Sequence, residues 1–168
     1  MAKVRHLYGK TKSVSGSSVK IEAEEDNIFF ISADLNIKDI KENTLEWILM
    51  DKTKKVEVFK APPAGWDGKF IVQFDKKTCG SYSYFLKASY IDKKTDKPKT
   101  ISGINLSGYC DPNILNFSWK SDGDEGENTL RAGDALTLSF EVEGLNGDKV
   151  TLEIYRKEED GKLSKVES

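Results

Sequence analysis

Hydrophobic and polar residues alternate along most of this chain, with the period of a β-strand rather than that of a helix. Most of the alternating runs are rich in β-branched and aromatic residues, and turn-forming residues separate them roughly every 8–12 positions. No segment combines sustained helical periodicity with helix caps, and residues 36–44 predict only one short helical turn. The pattern therefore predicts an all-β fold.

The first two thirds of the chain contain enough alternating runs for a complete β-sandwich. They predict seven strands, at 18–25, 27–36, 44–52, 54–60, 69–75, 81–92 and 100–109. Many short strands separated by frequent turns are typical of sandwich architecture. We therefore expect a first module at 1–109, with its core within about 18–109.

After Tyr109 the alternating pattern starts again, and the sequence "GYCDP" at 108–112 marks the boundary. Three further strands are predicted in a second module at 110–168, namely 113–121, 135–144 and 149–158. Because only three strands fit, we expect this module to be incomplete.

An internal repeat supports the division into two modules. A shift of 107 residues places 29–36 on 136–143 and, without a gap, the Thr-Leu-Glu of 44–46 on that of 151–153. We interpret the chain as two copies of one module, the second cut off after its third strand. Its exposed edges could be covered by chain beyond Ser168, which we favour, by packing onto the first module, or by a partner's strand.

The stretch "GKFIVQFDKKTCGSYSYFLKASY" at 68–90 resembles the E-to-F part of an immunoglobulin-like domain, with a G-x-Y-x-C pattern whose Cys is replaced by Tyr84. The resemblance implies that Tyr82 is the corner tyrosine, with its hydroxyl bonded to nearby backbone. It also implies that Trp47 packs between the sheets, so that Trp47, Tyr82 and Tyr84 are structural core residues. The strand-B Cys of the family is absent as well, and so is the disulfide between the sheets.

The second module resembles Ig-like modules that are repeated in large bacterial polymorphic-toxin proteins, some of them exported by type VI or related contractile injection machinery. The residues that carry this resemblance are "AGDALTL" at 132–138 and "GLNGDKVTLEIY" at 144–155. The resemblance implies a region without enzymatic activity that carries, docks or spaces a toxin.

Composition narrows the classes of partner. Apolar residues make up 38% and charged residues 32% of the chain, and the net charge is −2. The basic residues are nearly all Lys and alternate with acids, which argues against nucleic acid as a partner. No apolar run is long enough to span a membrane and no signal peptide begins the chain. We expect a cytoplasmic protein, exported if at all by a signal-peptide-independent route.

Two cysteines and one histidine are the chain's candidate reactive groups. Cys79 and Cys110 flank a predicted hairpin at nearly opposite positions, so they are expected to form a disulfide in an oxidising compartment and to stay thiols in a reducing one. His6 is expected to be incidental because it lies near a terminus. The acidic loop at 121–128 lacks the spacing of a calcium-binding EF-hand, so no metal or other cofactor is predicted.

Trp66 is the candidate binding residue. Pro62 and Pro63 stiffen the loop before it, and a Trp presented in this way can stack on a sugar, anchor a protein contact, or fold over the end of the sandwich.

The predicted function is that of a non-catalytic protein-interaction or adaptor region, because the usual catalytic groups do not converge. We expect the N-terminal loading or docking part of a longer toxin or effector, whose protein partner is a spike or tube component of a secretion system. The alternative is a carbohydrate-binding or adhesive module that uses Trp66.

Overall fold

The computed structural model describes residues 2–32, 35–52, 54–61, 68–121 and 135–166. Within these ranges the protein is all-β, as the alternating pattern predicted, and its helical content is a single 3₁₀ turn at Ile37–Asp39. This turn lies inside the segment that the sequence marked as a short helical turn.

The N-terminal region, which we define as residues 2–109, contains nine strands. They are β1 (Val4–Tyr8), β2 (Thr11–Ser15), β3 (Ser18–Glu22), β4 (Asn27–Ile31), β5 (Glu46–Asp51), β6 (Val56–Lys60), β7 (Lys69–Val72), β8 (Tyr84–Ile91) and β9 (Pro98–Tyr109). The C-terminal region, residues 110–166, contains β10 (Asn113–Ser121), β11 (Leu136–Glu143), β12 (Tyr155–Lys157) and β13 (Leu163–Lys165).

Two sheets make up the N-terminal region. One has six strands in the order β2-β3-β9-β8-β5-β6, and the other has three in the order β1-β4-β7. All neighbouring strands are antiparallel except β3 and β9, which run parallel. Strands β8 and β9 form the expected hairpin, in which Tyr84 lies opposite Leu106.

The core of the protein is built from the inward-facing positions of both sheets. Successive residues of a strand point to opposite faces, so every second residue of β3, β8 and β9 is buried. The largest fully buried side chains are Trp47, Phe29, Ile21, Leu86 and Leu106, and they come from five different strands. Their shared burial holds the two sheets together.

Strands β1 and β2 are absent from the sequence prediction, which began the core at about residue 18. Both carry mostly exposed side chains, so their alternation of apolar and polar residues is weak. They are strands because they add to existing partners: β1 pairs with β4 and β2 pairs with β3. Val4, at the start of β1, belongs to the core.

Among the described residues, the C-terminal region has two separate two-stranded sheets, β10-β11 and β12-β13. The strand predicted at 149–158 is wrong in extent, since only Tyr155–Lys157 forms it, and β13 is a fourth strand where three were expected. The Val166 amide extends the pairing by donating to the Ile154 carbonyl at 2.9 Å.

Candidate interaction groove and region junction

The loop that the sequence selected for binding, with Trp66, Pro62 and Pro63, lies outside the described residues. The acidic loop residues 122–128 lie outside them as well. The loop 62–67 connects β6 to β7 along the chain, and both of these strands are described. These two strands border an apolar groove in the N-terminal region.

An apolar groove opens between the edges of the two sheets. Strand β6 ends the six-stranded sheet and β7 ends the three-stranded sheet. The groove has a volume of about 350 Å³, and its apolar walls include Leu49, Val58, Phe59, Phe70, Val72 and Tyr84. Single exposed hydrophobic residues are ordinary on protein surfaces, but a contiguous apolar groove marks an interaction site more often.

A β-bulge in β6 shapes one wall of the groove. Leu49 pairs with Phe59 and Met50 pairs with Glu57, so Val58 is the extra residue of the bulge. A bulge re-aims side chains and disrupts the strict alternation of strand faces. Val58 and its neighbour Phe59 consequently both line the groove, although each is more than half exposed, at 54% and 52%.

The floor of the groove is a row of aromatic rings. Phe59 lies 6.2 Å from Phe70, and Phe70 stacks on the fully buried Trp47 with ring centroids 5.4 Å apart. On the other side Phe74 lies 5.2 Å from Tyr84, which is half-buried. Such contacts contribute about 0.5–1.5 kcal/mol each beyond area burial, so the floor is rigid. Trp47 therefore supports the groove from the core, and Tyr84 forms part of its surface.

Tyr82 bonds to a side chain far from it in the sequence. Its hydroxyl donates to the carboxylate of Asp51, 31 residues upstream, at 2.5 Å. Asp51 is buried, and its other carboxylate oxygen accepts from the Lys54 amide at 2.9 Å. Tyr82 therefore ties the turn before β6 to the segment that precedes β8.

The same segment joins the N-terminal and C-terminal regions. We define the junction as residues 76–82 together with 144–148. The Asn146 amide donates to the Cys79 carbonyl at 2.8 Å, and the Tyr82 amide donates to the Asn146 carbonyl at 2.9 Å. The Gly144 amide also donates to the Lys76 carbonyl at 2.9 Å. Main-chain pairing of this kind fixes the two segments in one register.

Two glycines allow this close approach. A Cβ on Gly80, whose φ is +148°, would lie 2.3 Å from the Asn146 carbonyl oxygen. A Cβ on Gly147, whose φ is +82°, would lie 2.9 Å from the Tyr82 nitrogen. Both distances are shorter than real Cβ contacts, and positive φ is costly for other residues. The junction consequently depends on glycine at both positions.

The two cysteines lie side by side at the junction as free thiols. Cys79 is fully buried and donates to the Asp75 carbonyl at 3.2 Å, while Cys110 is half-buried and donates to the Lys76 carbonyl at 3.7 Å. Burial, reinforced by the neighbouring Cys110 thiol, raises the pKa of Cys79 to about 12. Burial also raises the pKa of Cys110, although a hydrogen bond from Cys79 opposes that rise.

His6 has a structural contact that its position in the sequence did not suggest. It lies in β1, its Nε2 is 2.9 Å from Oδ1 of the fully buried Asn27, and its ring meets Phe29 edge-on at 5.2 Å. Pairing of β1 with β4 holds this end of the chain in the sheet. Among the described residues, no group of three or more His, Cys, Asp or Glu side chains could hold a metal ion.

Comparison with known proteins identifies no relative. No protein-family model matches the sequence, and no curated protein matches it either. Across the described ranges, no helix has the length and apolar character needed to cross a membrane.

Proposed function

We propose that this chain is a non-catalytic protein-interaction module with an immunoglobulin-like fold. In such folds strands A, B and E share one sheet, and strands C, F and G share the other. The sheets β1-β4-β7 and β9-β8-β5 support this assignment, with β4 as strand B, β7 as E, β5 as C, β8 as F and β9 as G. The position of Trp47 on β5, between the sheets, supports it too.

The apolar groove between β6 and β7 carries the functional part of the proposal. Its occupant is an extended segment of a protein partner, whose apolar side chains enter the groove over Phe59 and Phe70. Within the described residues β7 has one strand neighbour, β4, so its other edge can pair with an incoming strand. The bulge and Lys60 of β6 are features that protect an edge from such pairing, so β7 is the receiving strand.

Charged residues of both signs lie beside the groove. Lys54 and Lys55 precede β6, whereas Asp75 lines the groove itself. The apolar walls rather than the net charge therefore select the partner segment, a short extended peptide in which apolar residues alternate with polar ones.

Selection from a displayed library of random peptides on the intact chain tests this proposal. We expect enrichment of peptides with alternating apolar residues. Phe59→Glu should weaken the binding of a selected peptide at least tenfold. The variant loses the aromatic ring that anchors the peptide, and binding would bury a charge at the centre of an apolar contact. Titration followed by amide chemical shifts should place the changes on β7 and the groove.

Val14→Glu is the matched control, since Val14 is 60% exposed on β2, at the opposite edge of the six-stranded sheet. This variant should bind the peptide as the original chain does. Peptides that bind equally well to the Phe59→Glu variant, or a selection that enriches nothing, would remove the groove as the binding site. Dimerisation that Phe59→Glu abolishes would instead make a second copy of the chain the occupant.

The wider context belongs to the same proposal. The resemblance of residues 132–155 supports three further parts of it. The chain loads or docks a longer toxin or effector, its partner is a spike or tube component, and it is exported from the cytoplasm without a signal peptide. Copurification of the chain with such a component, lost in Phe59→Glu and kept in Val14→Glu, is the expected result if the context is right.

A further inference from the structure

The cysteine pair lies where chemistry between the two thiols would change the junction. Cys79 belongs to the segment 76–82 that receives the loop 144–148, and Cys110 is the first residue after β9. The two thiols donate to successive carbonyls, those of Asp75 and Lys76, so both side chains lie over the same turn. Each thiol is close enough to the other to shift its pKa.

Cys110 is accessible to a small reagent, whereas Cys79 is not. Cys110 belongs to the lining of two cavities, of about 610 Å³ and 330 Å³. The larger volume is within the range of small-molecule sites. Cys79 is fully enclosed, and a Cβ on Gly108 would lie 2.5 Å from its sulfur. A reagent from solvent therefore meets Cys110 first.

We propose that Cys79 and Cys110 are a redox-controlled pair, in which a low-molecular-weight disulfide reacts at Cys110 and the resulting Cys79–Cys110 bond fixes the junction between the two regions. This step is independent of the groove and of its partner.

The reaction is two successive thiol–disulfide exchanges. The Cys110 thiolate attacks one sulfur of the small disulfide, whose S–S bond breaks, and the released thiolate takes up a proton equivalent to the one that Cys110 lost. Cys79 then attacks the sulfur of Cys110 in the mixed disulfide, and the second small thiol leaves with the proton from Cys79. Two cysteine thiols are oxidised, and one small disulfide is reduced to two thiols.

The bond acts on the junction because of what the two cysteines anchor. The Cys79 carbonyl accepts from the Asn146 amide, and a Cβ on Gly144 would lie 2.8 Å from the Cys110 carbonyl oxygen. A covalent link between the two cysteines joins the start of the C-terminal region to the segment on which its loop is docked. Opening of the junction would then require the segment 76–82 and the chain at Cys110 to move together.

The groups around the larger cavity carry both charges. Glu22, Asp111 and Glu143 line it together with Lys76, and the ammonium groups of Lys12 and Lys20 lie over the ring of Tyr109, which also lines it. Cystamine, which is cationic, and oxidised glutathione, which is anionic, should therefore both react there. Both reactions should accelerate as the pH rises above 8, because exchange needs the thiolate.

The test treats the intact, folded chain with cystamine or with oxidised glutathione, and then counts free thiols by alkylation in denaturant and intact mass. We expect loss of both thiols with no added reagent mass. Cys79→Ser should instead keep one molecule of reagent bound at Cys110, whereas Cys110→Ser should leave Cys79 unmodified. If Cys79→Ser fails to fold, Cys79→Ala replaces it, and the result on the unaltered chain stands without either variant.

Amide exchange tests the effect on the junction. After oxidation the Asn146 amide should exchange on the order of 30-fold more slowly, or more. The Val166 amide, in the distant β12-β13 hairpin, should change by less than about threefold. Two thiols that remain alkylatable, a mixed disulfide that persists in the unaltered chain, or an Asn146 amide that is unchanged after oxidation would each overturn the proposal.

Discussion

Both regions of this protein have strands in which hydrophobic and polar residues alternate, but they differ in how far the hydrophobic residues are buried. The N-terminal region supplies all of the described buried hydrophobic side chains, from Val4 to Leu106, most of them from its strands. In the C-terminal region large hydrophobic residues such as Phe117, Leu152 and Leu163 are half exposed or more. An alternating sequence therefore specifies strands, but a core forms only where a second sheet covers the apolar face.

Strands β5 and β12 show the difference most directly, because a shift of 107 residues places one on the other. β5 lies between β6 and β8, and three of its six residues are buried. β12 pairs with β13 alone among the described strands, and all three of its residues are exposed. Neighbours on both sides and a facing sheet account for the buried residues of β5.

The largest difference in stability should come from replacing one tryptophan in each region with alanine. Trp47→Ala takes out a fully buried indole that stacks on Phe70, and we expect it to cost about 3–5 kcal/mol of unfolding free energy. Trp119→Ala in β10 removes a half-buried indole and should cost about 1 kcal/mol. Urea unfolding followed by circular dichroism measures both. Equal losses would mean that the C-terminal region is packed as tightly as the N-terminal one.

The second-largest effect should come from a substitution that disrupts the junction between the two regions. Gly80→Ala should destabilise the junction by about 2–4 kcal/mol, since the added Cβ meets Asn146 and the backbone keeps a positive φ. Limited proteolysis should then cut the C-terminal region faster while the N-terminal core stays intact. In Gly16→Ala the new Cβ meets nothing within 4 Å, so its cleavage pattern should be unchanged. Unaltered cleavage in the Gly80 variant would show that the regions are independent.

A smaller effect should follow from deleting one hydroxyl in each region. Tyr82→Phe removes a hydrogen bond to the buried Asp51 carboxylate, and we expect a loss of about 1.5–3 kcal/mol. Tyr155→Phe removes a hydrogen bond of similar length, 2.7 Å, to the exposed Glu153 and should leave the urea midpoint unchanged. A midpoint that falls as far for Tyr155 as for Tyr82 would contradict the role of burial.

The smallest effect is a difference in acid sensitivity. Hydrogen bonds from Lys99 and Thr95 lower the pKa of Asp92 below its ordinary value near 3.8, and a hydrogen bond from Lys165 lowers that of Glu153. A lowered folded-state pKa contributes stability that is present above the unfolded pKa and is lost as the pH falls through the folded one. Asp92 is buried and Glu153 is exposed, so Asp92 should dominate.

Urea midpoints measured between pH 2 and pH 7 check this expectation. Asp92→Asn should be less stable than the original chain above pH 4, and the gap should close toward pH 2. The curve of Glu153→Gln should follow the original one. A gap for Asp92→Asn that stays constant across the whole range would assign its effect to packing rather than to charge.

Much of the N-terminal fold could be predicted from the sequence, because alternation reports directly on a strand with one buried face. Strands β3 to β8 lie within predicted segments, β9 begins two residues before its predicted segment, and Trp47 is buried between the sheets. The exposed strands β1 and β2 escaped prediction, since a strand with few buried residues has little hydrophobic signal. The contact of His6 was not predicted either, because its partner Asn27 comes close only through the pairing of β1 with β4.

The interaction groove could be predicted less well. The loop of Trp66 was selected for its composition, and it connects the two strands that border the groove. Val58 and Phe59 were simply part of a predicted strand, since a bulge leaves no mark in one sequence. The contact of Tyr82 with Asp51 was also missed, because the resemblance pointed to nearby backbone.

The sequence by itself determined the all-β character, most strand positions and the nearly opposite placement of Cys79 and Cys110, since each of these follows from local periodicity and short connections. Tertiary structure alone decided which apolar faces are covered, where the groove opens and how the loop 144–148 docks on 76–82. Those features depend on contacts between residues far apart in the chain, and local pattern carries no information about them. The same alternation consequently yields a core in one region and exposed hairpins in the other.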